Sequence, residues 1–477
     1  MISSDEMAVV DANAAALGVP RKQLMESSGS AVARAVRRLA EPGGSVALVC
    51  GRGNNGGDAF VAARFLPSHD VTVRLLGRPA AISTAIAREN FDALEATDAT
   101  VRTVRDSTAF DLGTPDVVVD AMLGTGATGA LREPEASAAA AINDAEATVV
   151  SVDVPSGVDA DTGDTEGVAV EADHVVTFHD GKPGLSAVDA EVTVAEIGIP
   201  AAAERTVERG DLLRLSRVPG AHKGDFGRVL VVGGGPYAGA PALAAQASLR
   251  AGADLSSVVA PVSVAGEIQG YSENLIVTPL EGERLGPDHV PEVLSRAERA
   301  DCVVVGPGLG DASETRAAVR SFLGEFDGTA VVDADALGAV PETETDATLI
   351  CTPHAGELAA MGCAIDDASE RAARIESFAA DLGATLLVTG AEDVVSDGER
   401  TRYNRSGNAG MTVGGTGDVL AGVTGAMACV LEAHPAASLG AYATGRAGDL
   451  AAATNGDGLT ATDLLGTVPS ALWPEGR

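Results

Sequence analysis

Val46-Ala47-Leu48-Val49-Cys50-Gly51-Arg52-Gly53-Asn54-Asn55-Gly56-Gly57-Asp58 decides the fold class of this chain. Five consecutive apolar residues read as a strand covered on both faces, the mark of a parallel sheet between helices. The glycines after it allow close backbone approach and positive φ, and two amides and a carboxylate supply directional hydrogen bonds. In an open parallel sheet the carboxyl ends of the strands are where ligands bind.

Outward from this stretch the same pattern repeats. Residues 71–76, 117–120, 148–152, 174–178 and 192–197 are further apolar or β-branched runs, separated by alanine-rich helical patterns such as 80–95, and two helices, 3–17 and 22–39, precede them. Around 199–219 the pattern gives way to a charged passage, and a second series follows with strands at 228–232, 255–260, 302–305, 330–333, 348–351 and 385–389 and helices at 240–251 and 314–326. The expectation is two α/β domains, residues 1–210 and 211–477, each with a buried parallel sheet.

Composition narrows the partners. Acidic residues outnumber basic ones 68 to 33, for a formal charge of −35, which argues against nucleic acid or an anionic membrane. The basic side chains are nearly all arginine; the lysines are Lys22, Lys182 and Lys223. An acid-rich, lysine-poor chain resembles the proteome of a salt-loving archaeon, where a Debye length of ~3 Å in molar salt screens the repulsion. Cys50, Cys302, Cys351, Cys363 and Cys429 show no CxxC spacing and are odd in number, against a zinc site or a disulfide framework. The first residues lack a basic, then apolar, leader pattern, and no run of eighteen uncharged apolar residues occurs, so a cytoplasmic protein is expected.

Three strand ends of the first series carry chemistry. Besides 54–58, Asp120 closes one strand ahead of Gly124-Thr125-Gly126-Ala127-Thr128-Gly129-Ala130, and Asp153 closes another ahead of Pro155, Ser156 and Gly157. Oxygens of Asn55, Asp120 and Ser156 could enclose a hard cation; the plainer reading has both aspartates capping turns. In the second series Gly414-Gly415-Thr416-Gly417-Asp418 opens a helix. Its free amides suit charge on a moving phosphoryl group, and Asp418 sits where it could accept a proton from an attacking hydroxyl. Gly306-Pro307-Gly308-Leu309-Gly310, Asp333-Ala334-Asp335 and Thr352-Pro353-His354-Ala355-Gly356-Glu357 follow neighbouring strands, and His354 on such a turn is read as a ligand contact.

GRGNNGGD, VVVDAMLGTGATGA and SVDVPSGVDAD resemble the N-terminal epimerase domain of the bifunctional NAD(P)H-hydrate repair enzymes, over about 1–199. HKGDFGRVLVVGG, GPGLG, VVDADAL, TPHAGE and GGTGDVLAG resemble their C-terminal dehydratase domain, over about 218–465. The resemblance implies a Rossmann-like three-layer α/β/α sandwich followed by a ribokinase-like α/β domain.

By carry-over, Asn54, Asn55, Gly56, Gly57, Asp58, Gly124 to Ala130 and Asp153 bind the hydrated dinucleotide in the epimerase half. Asn55, Asp120 and Ser156 hold potassium there. Asp153 is the acid/base candidate at the nicotinamide C6 carbon, with Lys182 a weaker candidate that reads equally well as a surface lysine. In the dehydratase half Ala240, Gly308, His354 and Asp418 bind the hydrate, and Thr389, Gly390, Ala391, Glu392, Asp393 and Gly417 bind ADP with magnesium. The family generally begins the nucleotide segment with Lys-Gly where this chain has Thr389-Gly390, and more often has a further glycine at Ala59. The implied activity is interconversion of R and S hydrates of NADH and NADPH, then ADP-dependent dehydration of the S form, in a homo-oligomer without nucleic-acid or membrane partners. The competing reading is a ribokinase-like small-molecule kinase fused to a non-catalytic dinucleotide sensor.

Overall fold

The computed structural model describes residues 1–217 and 220–474. Val218, where the second resemblance starts, lies outside them. The chain forms two compact units, Met1–Ala203 and Glu204–Arg477.

The first unit is built on seven parallel strands: β1 (Ser45–Cys50), β2 (Asp70–Leu76), β3 (Thr100–Val104), β4 (Val117–Ala121), β5 (Thr148–Val152), β6 (His174–Phe178) and β7 (Glu191–Ala195). They lie in the order β3-β2-β1-β4-β5-β6-β7. Alternate residues of β1 enter two separate cores, Val46, Leu48 and Cys50 on one face and Ala47 and Val49 on the other. The sheet is therefore the middle of three layers, which is why its strand reads as an unbroken apolar run. The edge strand β3 (TVRTV) is largely solvated, so no apolar run announces it in the sequence.

The second unit holds nine strands: β8 (Arg228–Val232), β9 (Leu255–Pro261), β10 (Ile276–Leu280), β11 (Cys302–Val305), β12 (Thr329–Val332), β13 (Thr348–Cys351), β14 (Thr385–Val388), β15 (Asp393–Ser396) and β16 (Thr401–Asn404). They run β10-β9-β8-β11-β12-β13-β14-β15-β16. Val229 and Val231 face one core, Leu230 and Val232 the other. The sheet is mixed rather than wholly parallel, because β14–β15 and β15–β16 pair antiparallel. Both links are short enough for antiparallel turns and too short for a helical crossover.

Residues 204–215 belong to the second unit. Thr206 bridges to Tyr403 on β16, and Arg402 donates to the Glu204 and Thr206 carbonyls at 2.9 and 2.7 Å while its guanidinium pairs with the buried Asp211 carboxylate. The expected domain boundary at 210/211 falls inside this stapled segment.

Each sheet has a point where the strand order reverses, β1/β4 in the first and β8/β11 in the second. Loops leaving the two strands there diverge to opposite faces and open a crevice at their carboxyl ends.

Candidate active sites

In the first unit the crevice is a cavity of about 440 Å³ whose lining includes Asp11, Arg21, Asn54, Asn55, Asp58, Gly124 to Ala127, Asp153 and Lys182. The stretch after β1 is a helix start, not an extended loop: helix Asn54–Arg64 begins within it, with Gly53 as its N-cap. Its glycines serve close approach without positive φ. A Cβ on Gly51 would lie 1.9 Å from the Met122 carbonyl oxygen, and one on Gly56 would lie 2.3 Å from that of Gly51. Gly57 likewise sits against Met25, while Gly53 faces open space. Gly56 and Gly57 thus set the helix into the crevice, and Asn54, Asn55 and Asp58 line it.

Asn55 donates to the Leu123 carbonyl at 2.8 Å, and the Leu123 amide donates to the Ser156 hydroxyl at 3.0 Å. Asp120 is fully buried at the end of β4 and accepts from the Ser156 hydroxyl (2.6 Å), the Ser156 amide (2.8 Å) and the Ser151 hydroxyl (2.9 Å). Burial pushes its carboxyl up, against the lowering effect of these donors. Asn55, Asp120 and Ser156 thus gather around Leu123 as an all-oxygen set with one buried carboxylate, chemistry that fits a hard monovalent cation.

Asp153 follows β5 in a left-handed conformation, φ 69°. For a residue with a Cβ that is a strained backbone held by its surroundings, a recurrent sign of a working site. Its Oδ1 accepts from the Thr177 hydroxyl at 3.1 Å and lies 3.4 Å from the Lys182 ammonium. Lys182 is only 1% exposed, so it is no surface lysine; it also donates to the Phe178 and Asp180 carbonyls at 2.8 and 3.0 Å. Asp58 is pushed well above the carboxylate range by burial and then by the negative Asp153 and Asp11. Loop residues Thr128 and Gly129 line a neighbouring cavity of about 310 Å³ with Asp159, Asp164 and Glu166, and Ala130 is exposed beyond it.

Sequence reasoning did not reach the wall contributed by helices Ser4–Ala16 and Arg21–Leu39, which brings Met7, Asp11, Arg21, Leu24, Met25 and Ser28 to the cavity. The available signal was Asp11 itself, a carboxylate in the apolar run 7–16, one turn after Met7.

In the second unit three glycine-bearing loops interlock. A Cβ on Gly233, after β8, would lie 2.4 Å from the Pro307 carbonyl oxygen; one on Gly306, after β11, would lie 1.8 Å from that of Asp333, after β12. Gly308 has φ 70° and leaves room for the Tyr237 carbonyl, just ahead of Ala240 in helix Gly239–Arg250. Helix Thr416–Ala428 starts at the same end with Gly415 (φ 94°) as N-cap, so the amides of Thr416, Gly417 and Asp418 are first-turn donors without intrahelical partners. Asp418 is the third residue of the helix rather than its first. Burial, then the nearby Asp335, raises its carboxyl to about 6.

Asp333 is more deeply set: burial raises it to about 7 although the Thr352 hydroxyl donates to it at 2.7 Å, and Asp418 and Glu357 add to the rise. Asp335 accepts from the Gly310 amide at 2.8 Å. Ala334 between them has φ 48°, a strained left-handed backbone for a residue with a Cβ. His354 caps helix Ala355–Ala360: its Nδ1 accepts from the Gly356 and Glu357 amides at 2.9 and 3.2 Å. With Nδ1 an acceptor, Nε2 carries a proton; it lies 3.6 Å from the Glu357 carboxylate, on an exposed side chain.

Thr389 pairs with His354 in an isolated bridge, which joins the predicted hydrate and nucleotide segments. The turn Thr389 to Asp393 is held from below by Arg371, which donates to the carbonyls of Glu392 (2.7 Å), Val388 (3.2 Å) and Thr389 (3.4 Å), and from within by Asp393 accepting from the Gly390 amide at 3.0 Å. No group of three or more His, Cys, Asp or Glu able to hold a metal ion occurs among the described residues. Nor, among them, is any helix long and apolar enough to cross a membrane.

Residues 21–184 match the family model described as YjeF-related protein N-terminus, and residues 229–470 match the one described as NAD(P)H-hydrate dehydratase. The bifunctional NAD(P)H-hydrate repair enzyme Nnr of Methanothermobacter thermautotrophicus is 44% identical over 492 residues, covering 98% of this chain and 95% of the relative. Among solved structures, a ribokinase-like superfamily protein of Enterococcus faecalis is 22% identical with a TM-score of 0.50, covering 56% of this chain and 95% of its own. The ADP/ATP-dependent NAD(P)H-hydrate dehydratase of Bacillus subtilis, co-crystallised with ATP/Mg2+, is 23% identical with a TM-score of 0.48, covering 55% of this chain and 95% of its own.

Proposed function

The chain belongs to the bifunctional NAD(P)H-hydrate repair enzymes, and on that premise we propose that its first unit epimerises the R and S hydrates of NADH and NADPH while its second dehydrates the S form at the expense of ADP. The observation that carries the reading is the presence on one chain of a strained, lysine-paired carboxylate in an enclosed cavity and a half-buried carboxylate behind first-turn amides.

In the first unit the cavity receives the nicotinamide ring, and Asp153, aimed by Thr177 and Lys182, exchanges a proton at the C6 substituent. Asn55, Asp120 and Ser156 would hold potassium, which supplies a positive charge beside the buried Asp120 carboxylate.

In the second unit Asp418, ionised above about pH 6, takes the proton of the ring hydroxyl as its oxygen attacks the terminal phosphorus of ADP. The Thr416 and Gly417 amides receive the charge that develops on the phosphoryl oxygens, and AMP departs. The C6–O bond then breaks with phosphate carrying the electron pair, and loss of a proton from C5 restores the double bond. Magnesium, brought in with ADP, would supply charge neutralisation there. Ala240, Gly308 and His354 frame the hydrate, and Thr389 to Asp393 with Gly417 frame the nucleotide. The acid-rich surface suits a salt-rich cytosol, and the chain is expected to self-associate, read by light scattering.

The test supplies purified protein with mixed R and S hydrates and ADP, then ATP, and follows recovery of the reduced cofactor. Full recovery of both isomers with ADP is expected. Recovery of the S isomer alone would make the first unit a sensor, and absence of any recovery would sink the dehydratase reading.

A further inference from the structure

The first cavity contains more acid than the proposed chemistry uses. Asp153 is fixed by Thr177 and Lys182. Asp11 differs. It reaches the cavity from helix Ser4–Ala16, and among the described residues no hydrogen bond or ion pair holds its carboxyl. The charged and titratable groups around it are Arg21 on the next helix, Asp153, Lys182, His179 and Asp58. Burial is the largest influence on it and favours the protonated form.

The cavity lining has two sources: the first two helices supply Met7, Asp11, Arg21, Leu24, Met25 and Ser28, and the segments that follow the strands supply Asp153 and Lys182. A ring bound in this cavity can meet a carboxyl from each source. Inversion at one carbon by loss and return of water needs a proton donor on one face and an acceptor on the other.

Resting on the epimerase reading, we propose that Asp11 is a second catalytic residue of the first unit, exchanging a proton with the hydrated ring on the face turned away from Asp153. The C6–O bond breaks with its electron pair on oxygen, which takes the proton of the Asp11 carboxyl and leaves as water while the N1 lone pair forms an N1=C6 iminium. Water on the other face adds its oxygen to C6, the N1=C6 pair returns to N1, and the surplus proton passes to the Asp153 carboxylate. One proton leaves the enzyme and one returns, and the reverse reaction interchanges the two carboxyls.

The experiment uses the full chain with Asp11→Asn and Asp11→Ser, following R-to-S conversion across pH and, for the unaltered chain, in 18O-labelled water. Expected are a loss of about 100-fold or more in kcat with KM little changed, the disappearance of one limb of the pH–rate profile, and one solvent oxygen incorporated per inversion. Circular dichroism and melting temperature report folding, and the second substitution covers a first that unfolds. A folded variant within threefold of the unaltered rate and with both limbs intact overturns the proposal, as does retention of the original oxygen. If the unaltered chain itself does not invert the hydrate, the epimerase reading is what has failed.

Discussion

The Lys182 ammonium lies 3.4 Å from the Asp153 carboxylate in an almost wholly enclosed seat, which the Thr177 hydroxyl and the Phe178 and Asp180 carbonyls complete. A buried cation so held is structural and functional at once: it offsets the negative charge of the cavity and keeps Asp153 aimed through a strained backbone.

Lys182→Met removes that cation and leaves Asp153 without it. Breaking a buried pair by deleting one partner costs about 3–5 kcal/mol. Denaturant unfolding followed by a probe in the first unit should show a loss of that order, together with loss of R-to-S conversion. A stability change below about 1 kcal/mol would mean that the pair is solvated.

Asp418→Asn should lower ADP-dependent turnover of the S hydrate by about 10²–10⁴-fold, the usual contribution of a positioned base, with KM little affected. Because the carboxyl is raised to about 6 and acts as a base, kcat/KM of the unaltered chain should rise with pH through about 6 and flatten above it. Turnover unchanged in a folded Asp418→Asn sample contradicts the assignment.

Asp333 supplies a stability test. Its folded pKa, about 7, lies above the ordinary carboxylate value, so its favourable contribution is complete near pH 4 and is lost as pH rises through 7. Asp333→Asn keeps an acceptor for Thr352 and abolishes that slope. Calorimetry at pH 8 should find the variant more stable by ~1 kcal/mol, a few degrees in Tm, and the gain should shrink toward pH 5. A variant destabilised equally at both pH values would contradict this account.

Arg371 donates to three carbonyls in and beside the turn Thr389 to Asp393, and under the proposed function it acts as a positioning residue for the nucleotide turn. Arg371→Ala leaves these acceptors without the cation, at about 1–3 kcal/mol. The KM for ADP should rise ~10-fold or more with kcat within threefold, and Arg371→Lys should rescue only in part because it lacks the planar fork. A fall in kcat at unchanged KM would place Arg371 elsewhere in the reaction.

Interior strands were legible because both of their faces are buried: 148–152, 174–178, 228–232, 302–305 and 348–351 agree with the structure to the residue. The solvated edge strands β3 and β10 and the antiparallel β15 and β16 were not, although the edge strand β7, equally solvated, was met by the run 192–197. The loops that follow interior strands could be located for the same reason. Asp11, Arg21 and Arg371 were missed because they reach their sites from helices distant in sequence, and periodicity cannot say what a helix faces. For the glycines at 51, 56 and 57 the sequence left close approach and positive φ both open, since the two leave the same mark; the structure shows close approach alone.

The stapling of 204–215 onto β16 bears on how this chain can be divided for experiment. A gene cut between codons 210 and 211 would strip Arg402 of the Glu204 and Thr206 carbonyls while keeping Asp211, leaving a ragged end beside the terminal strand. Scission after Ala203 carries the whole clasp with the downstream half, and that is the fragment to express when the two reactions are to be assayed apart.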